Sequence, residues 1–200
     1  PGAPEDAVDK MKGALVQRMV PRLSFVGSNE TTKETIESSF RRQVALVEAH
    51  LSERKYLFGG RPAFADFGLW AQLYQCASDP TAGAAMRDAR NLLDWIERML
   101  DPKAEGEFER WDRLGPTLEP LLEQEIAGLF LPWSTANARA LAAGEAEFQL
   151  ELEGRAFSQR TQKYHARSLA ALKERYRAVP ERAELDAILA RTRCLEWLQG

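Results

Sequence analysis

Apolar residues recur at three- and four-residue steps through most of this chain, and that period commits it to stacked amphipathic helices. Val8, Met11, Leu15 and Met19 form one stripe, entered through Pro4 and the acidic pair Glu5-Asp6 and stopped at Pro21. Leu23 to Thr31, with Gly27, Ser28 and Asn29, reads as a loop. Ile36, Phe40, Val44, Val47 and Leu51 form a second stripe, with Thr31 or Thr32 as its cap and Arg41, Arg42 and Glu48 turned outward. A third helix, from about Ala63 to Cys76, is apolar nearly all round, as a buried central helix would be. Shorter helices follow from Ser78-Asp79-Pro80 and from Arg90 to Met99, the latter with Leu92, Trp95 and Ile96 inside, until Asp101-Pro102.

Beyond Pro102 the pattern changes. Lys103 to Trp111 is charged and irregular, Leu118 to Phe130 reads as a helix, and Ser134 is placed to cap a short alanine-rich one. The period then falls from 3.6 to 2: Phe148, Leu150 and Leu152 alternate with Glu147, Gln149, Glu151 and Glu153. A turn at Glu153-Gly154 would return the chain antiparallel and set Leu150 opposite Phe157. Helices from Thr161 to Tyr176 and from about Glu181 to Leu198 complete a mostly α chain with one hairpin at about 147–159.

Composition narrows the function classes. Twenty-seven Lys and Arg against thirty Asp and Glu give a net charge of −3, which supplies no electrostatic reason to expect nucleic acid or an anionic membrane as partner. The start of the sequence has no basic-then-apolar leader, and Cys76 and Cys194 form no CxxC, so a reducing, cytoplasmic setting is expected. There is no GxSxG, HExxH or Walker-type loop. His50 and His165 lie in separate helices without a ligand-spaced neighbour, which favours helix-surface or half-buried histidines over a metal site. No residue stands out as catalytic, and no cofactor is expected in this chain.

The most informative stretch is Tyr56-Leu57-Phe58-Gly59-Gly60-Arg61-Pro62-Ala63-Phe64-Ala65-Asp66. Pro62 stiffens the entry to a helix, and Asp66 falls in its first turn, where a carboxylate can accept backbone N–H bonds. The stretch resembles the "YLxGxxPSxAD" opening of the central helix in the all-helical C-terminal domain of glutathione S-transferases. Tyr56, Leu57, Gly59 or Gly60, Pro62, Ala65 and Asp66 match. Ala63 stands where that family has Ser or Thr, so half of the capping box is lost and Asp66 acts alone. Leu92, Trp95 and Met99 also fit the family's downstream pattern, and the resemblance spans about residues 5 to 100.

The resemblance implies a glutathione-transferase-type helical bundle over 1–102 and an α+β extension over 103–200, the latter similar to the long tail of some bacterial relatives. It implies that glutathione is the co-substrate of a full-length protein. It also implies that a thioredoxin-like N-terminal domain, of which no βαβ trace is visible here, binds the tripeptide and activates it. Met11, Leu15 and Arg18 would face the second, apolar substrate; the alternative is that they only pack on neighbouring helices. This chain alone would be inactive, and a homodimer is left open. The rival reading is a non-enzymatic protein-docking module of the same helical fold.

Overall fold

The computed structural model describes residues 4–200. By internal packing they form two compact units that interleave along the chain: a helical unit (Glu37–Gly128 and Ala183–Glu196) and a hairpin unit (residues 4–36, Leu129–Arg182 and Trp197–Gly200). These units divide the chain on a different footing from the expected 1–102 and 103–200. The fold class is as expected, mostly helical with one two-stranded antiparallel hairpin.

In the helical unit, α2 (Lys33–Leu51), α3 (Phe64–Ser78), α4 (Pro80–Met86) and α5 (Arg90–Arg98) follow one another. Their shared core contains Val47, Leu51, Leu73, Met86, Leu92 and Trp95. The local signals act as their chemistry dictates: Asp79 Oδ1 accepts from Thr81 N (2.8 Å) and Ala82 N (2.9 Å) to open α4, with Pro80 in the first turn. Just ahead of α2, Asn29 Oδ1 accepts from Thr31 N at 2.9 Å and Thr32 N at 3.1 Å, while the Thr32 hydroxyl donates back to Gly27 O. An Asn side chain forms such a turn more readily than the threonines that follow it.

Further on, α6 (Trp111–Leu121) starts earlier than the expected helix and contains both Pro116 and Pro120. Each proline deprives a carbonyl one turn back of its donor, and after Pro120 the backbone widens into a π-helical segment, Leu122–Phe130. The helical backbone runs on into α7 (Leu131–Ala142), so Ser134 is not a cap; it lies buried inside α7. The expected last helix is broken into α9 (Ala183–Arg191) and α10 (Leu195–Gln199), with Arg193 between them in the left-handed region at φ 59°.

In the hairpin unit, α1 (Glu5–Met19) does not simply stop at Pro21. It tightens into a 3-10 segment, Val20–Val26, in whose first turn Pro21 loses no needed donor. Strands β1 (Glu147–Leu152) and β2 (Arg155–Arg160) pair with Leu150 opposite Phe157. The two-residue turn has positive φ at Glu153 (51°) and Gly154 (75°), the geometry whose twist matches the strands. Leu152 and Phe157 pack against Leu129, with Trp133 and Leu150 beside them. Buried Gln159 ties the unit together: its Oε1 accepts from Trp133 Nε1 at 2.9 Å and its Nε2 donates to Phe25 O at 2.9 Å. Helix α8 (Lys163–Ala178) seats Leu169 and Tyr176 inward. No helix among the described residues is long and apolar enough to cross a membrane.

Candidate functional site

The Tyr56–Asp66 stretch is built around backbone that only glycine tolerates. Tyr56 and Gly59 exchange N–H···O bonds (3.0 and 3.1 Å), and Gly59 sits at φ 123° where a Cβ would come within 2.8 Å of Glu107 O. Gly60 N then donates to Glu107 O at 2.9 Å, and Glu109 N to Phe58 O at 2.8 Å. Pro62, half-buried, leads into Ala63, the extended N-cap of α3, which has no side-chain acceptor.

Asp66, 0% exposed, supplies what Ala63 lacks and more. Its Oδ2 accepts from Ala63 N at 2.8 Å, the return half of a capping box. Its Oδ1 accepts from Leu57 N at 2.9 Å and from Trp95 Nε1 at 3.0 Å. One carboxylate thus joins the glycine turn, the start of α3 and the middle of α5. A buried carboxylate with three donors is satisfied rather than free, so Asp66 is an anchor.

Other buried polar links surround this anchor. His50 is 1% exposed, contrary to the surface or half-buried position expected of it. Its Nε2 donates to Leu57 O at 2.8 Å and its Nδ1 lies 2.7 Å from the Thr117 hydroxyl. Burial holds the imidazole below its ordinary pKa of 6.5, partly offset by the bond to Leu57. Arg54 is buried beside it, with Nε to Glu109 at 3.0 Å and Nη2 to Arg113 O at 2.7 Å. Glu48, expected outside, instead caps α5: Oε2 accepts from Leu92 N at 2.8 Å and Oε1 from Asn91 Nδ2 at 2.6 Å. Arg42, also expected outside, pairs with buried Glu125 of the π-helical segment, which further accepts from Gln43 Nε2 at 3.1 Å. The signal for Glu48 was faint: α5 opens at Ala89, a residue with no acceptor of its own.

Against this fixed interior, α3 is not the buried helix its composition suggested. Phe64 is 82% exposed, and Phe67 and Tyr74 are exposed as well; with Ala71 they lie along one stripe of the helix. Asp66 and Leu73 are its only buried residues among those described. An all-apolar composition cannot by itself separate a helix surrounded by its own chain from one that presents aromatics outward.

Met11 and Leu15, on α1, are 72% and 59% exposed, and Arg18 is exposed beside them. With Val8, Lys12 and Ala14 they line a shallow, open depression of about 350 Å³. The packing alternative therefore does not describe Met11 and Leu15 here. Nothing resembling a metal centre occurs among the described residues. Burial, reinforced by Asp79, pushes the Cys76 thiol up from its ordinary pKa, the wrong direction for a nucleophile.

Comparison with known proteins agrees with this geometry over part of the chain. Residues 30–102 match the family model of the glutathione S-transferase, C-terminal domain. No curated protein and no solved structure gives a significant match. The matched segment holds α2 to α5, the glycine turn and the Asp66 anchor, so over residues 30–102 the chain is similar to the glutathione S-transferase C-terminal domain.

Proposed function

We propose that this chain is the docking half of a glutathione transferase-like protein, a rigid helical scaffold that seats a thioredoxin-like, glutathione-binding domain on the outward face of α3. The observation that carries the reading is the pairing of Phe64, 82% exposed, with Asp66, fully buried, within one helical turn. Rigid aromatics held at full exposure are the usual anchors of protein interfaces, because they lose little conformational freedom on binding. Glutathione in this reading is held by the docked domain, and the chain itself contributes no catalytic group.

The apolar surface of α1 suits a broad protein contact better than a small electrophile. Small-ligand sites bury most of the ligand surface, whereas Met11, Leu15 and Arg18 would touch it from one side only. The test is direct. A thioredoxin-like domain of a glutathione transferase, supplied in trans, should associate with the chain, and Phe64→Ser with Phe67→Ser should abolish the association without lowering the helix content. Association that survives both substitutions would overturn the reading.

A further inference from the structure

We propose that Arg61 sets the orientation of the domain docked on α3, its guanidinium receiving a carboxylate side chain from that domain; this rests on the reading of α3 as the seat. Arg61 lies between Gly60 and Pro62, three positions ahead of Phe64. Its guanidinium stands over the ring of Phe108, 5.3 Å from the centroid, within cation–π range. Phe108 is itself 54% exposed, so the ring supports the cation at the surface instead of drawing it into the core. Main chain holds the two together. Gly59 forms a bridge with Phe108, and Gly60 N donates to Glu107 O. The contact therefore does not depend on two side chains meeting by their own rotation.

What Arg61 lacks is an acid of its own. No ion pair or hydrogen bond of its side chain occurs among the described residues, although the facing segment is acidic. Glu109 is committed to Arg54, and neither Glu105 nor Glu107 bonds to Arg61. Nε is buried without a partner, whereas the two Nη atoms, equally unbonded, are open to solvent. The root of the guanidinium is thus fixed and its far edge is free, and that edge offers the planar pair of donors that a carboxylate fits. The charge of α3 completes the argument. Apart from buried Asp66, α3 carries no charged residue. Its outward aromatics supply contact area but little that selects one angle of approach. A single fixed cation at the entry to the helix does select, because a partner placing a like charge or an apolar group there is rejected.

The probe is the thioredoxin-like domain of a glutathione transferase, titrated into the 200-residue chain at low and high salt. Arg61→Gln should weaken the association about tenfold or more and flatten its salt dependence. Arg61→Lys keeps the charge without the fork and should fall between Arg61→Gln and the parent. Arg61→Glu should weaken the association further than Arg61→Gln, because the partner carboxylate would then meet a like charge. The melting of Arg61→Gln and Arg61→Lys should match that of the parent, since the side chain makes no hydrogen bond within its own chain. Association as tight and as salt-sensitive in Arg61→Gln as in the parent would overturn the role of Arg61 and leave the α3 reading in place. Equal losses in Arg61→Gln and Arg61→Glu would overturn the carboxylate as its partner. No association by the parent chain would overturn both the seat and the charge that orients it.

Discussion

Replacing Asp66 by alanine measures how much of the helical unit hangs on one side chain. A residue that only caps a helix costs about 0.5–2 kcal/mol when truncated. Asp66 accepts three bonds, and two of their donors, Leu57 N and Trp95 Nε1, are buried. Each buried donor left without an acceptor costs about 1–3 kcal/mol, whereas Ala63 N, only partly buried, can turn to water at a smaller cost. Relief from holding a charge inside the protein returns part of this. The expected net loss for Asp66→Ala is about 3–5 kcal/mol, a large share of the stability of an ordinary domain. Asp66→Asn keeps one oxygen but turns an NH₂ toward a donor, and about 2 kcal/mol should go. Urea unfolding, followed by near-ultraviolet circular dichroism at the tryptophans, reads both variants, and the native Trp95 signal should broaden or shift even before unfolding. A loss under about 1 kcal/mol for the alanine variant, with that signal unchanged, would show that the three bonds are not a functional unit and refute the anchor.

Ala63→Ser restores a side-chain acceptor at the N-cap of α3 and should stabilise the chain by about 0.5–1 kcal/mol in the same urea titration. His50 is held neutral by burial, so its folded pKa lies below the unfolded 6.5. Its contribution to stability is fully present above that value and declines as pH falls below it, by up to ~1.4 kcal/mol per pH unit, because only the unfolded chain takes the proton. Thermal melts from pH 7.5 to 5 should therefore show a smaller acid loss in His50→Gln than in the parent. Gly154→Ala forces a Cβ into positive φ at the hairpin turn and should cost about 1–2 kcal/mol. Calorimetry on the 200-residue chain alone should detect no micromolar glutathione binding, and no conjugation to an aryl halide should accompany it.

What the sequence disclosed was local. Helices α2, α4 and α5 were readable because their stripes and stops lie within a few residues, and the hairpin because a period of two differs plainly from 3.6. The first-turn role of Asp66 was readable for the same reason, and the family resemblance rested on residues close together. Its bonds to Leu57 and Trp95, nine and twenty-nine positions away, were not, nor was the use of Glu48 as the cap of a helix forty-four positions on. Long-range polar partners leave no periodic trace. The outward face of α3 leaves no trace in the sequence for a different reason: a phenylalanine has the same hydrophobicity whether its partner is its own chain or another protein. Pro116 and Pro120 were visible, but proline tells where a helix is disturbed and not which wider register follows.

The interleaving of the two units sets an order of events during synthesis. The hairpin unit needs Phe25 and Glu34 from early in the chain to meet Gln159 and Arg155 from late in it, whereas most of the helical unit, residues 37–128, lies between. On a ribosome, Phe25 and Glu34 emerge before their partners and must wait until more than a hundred further residues have followed them. The helical unit can largely condense during that interval from contacts closer in sequence. Closure of the hairpin unit is thus the later event, because it awaits strands made only after residues 37–128 are complete.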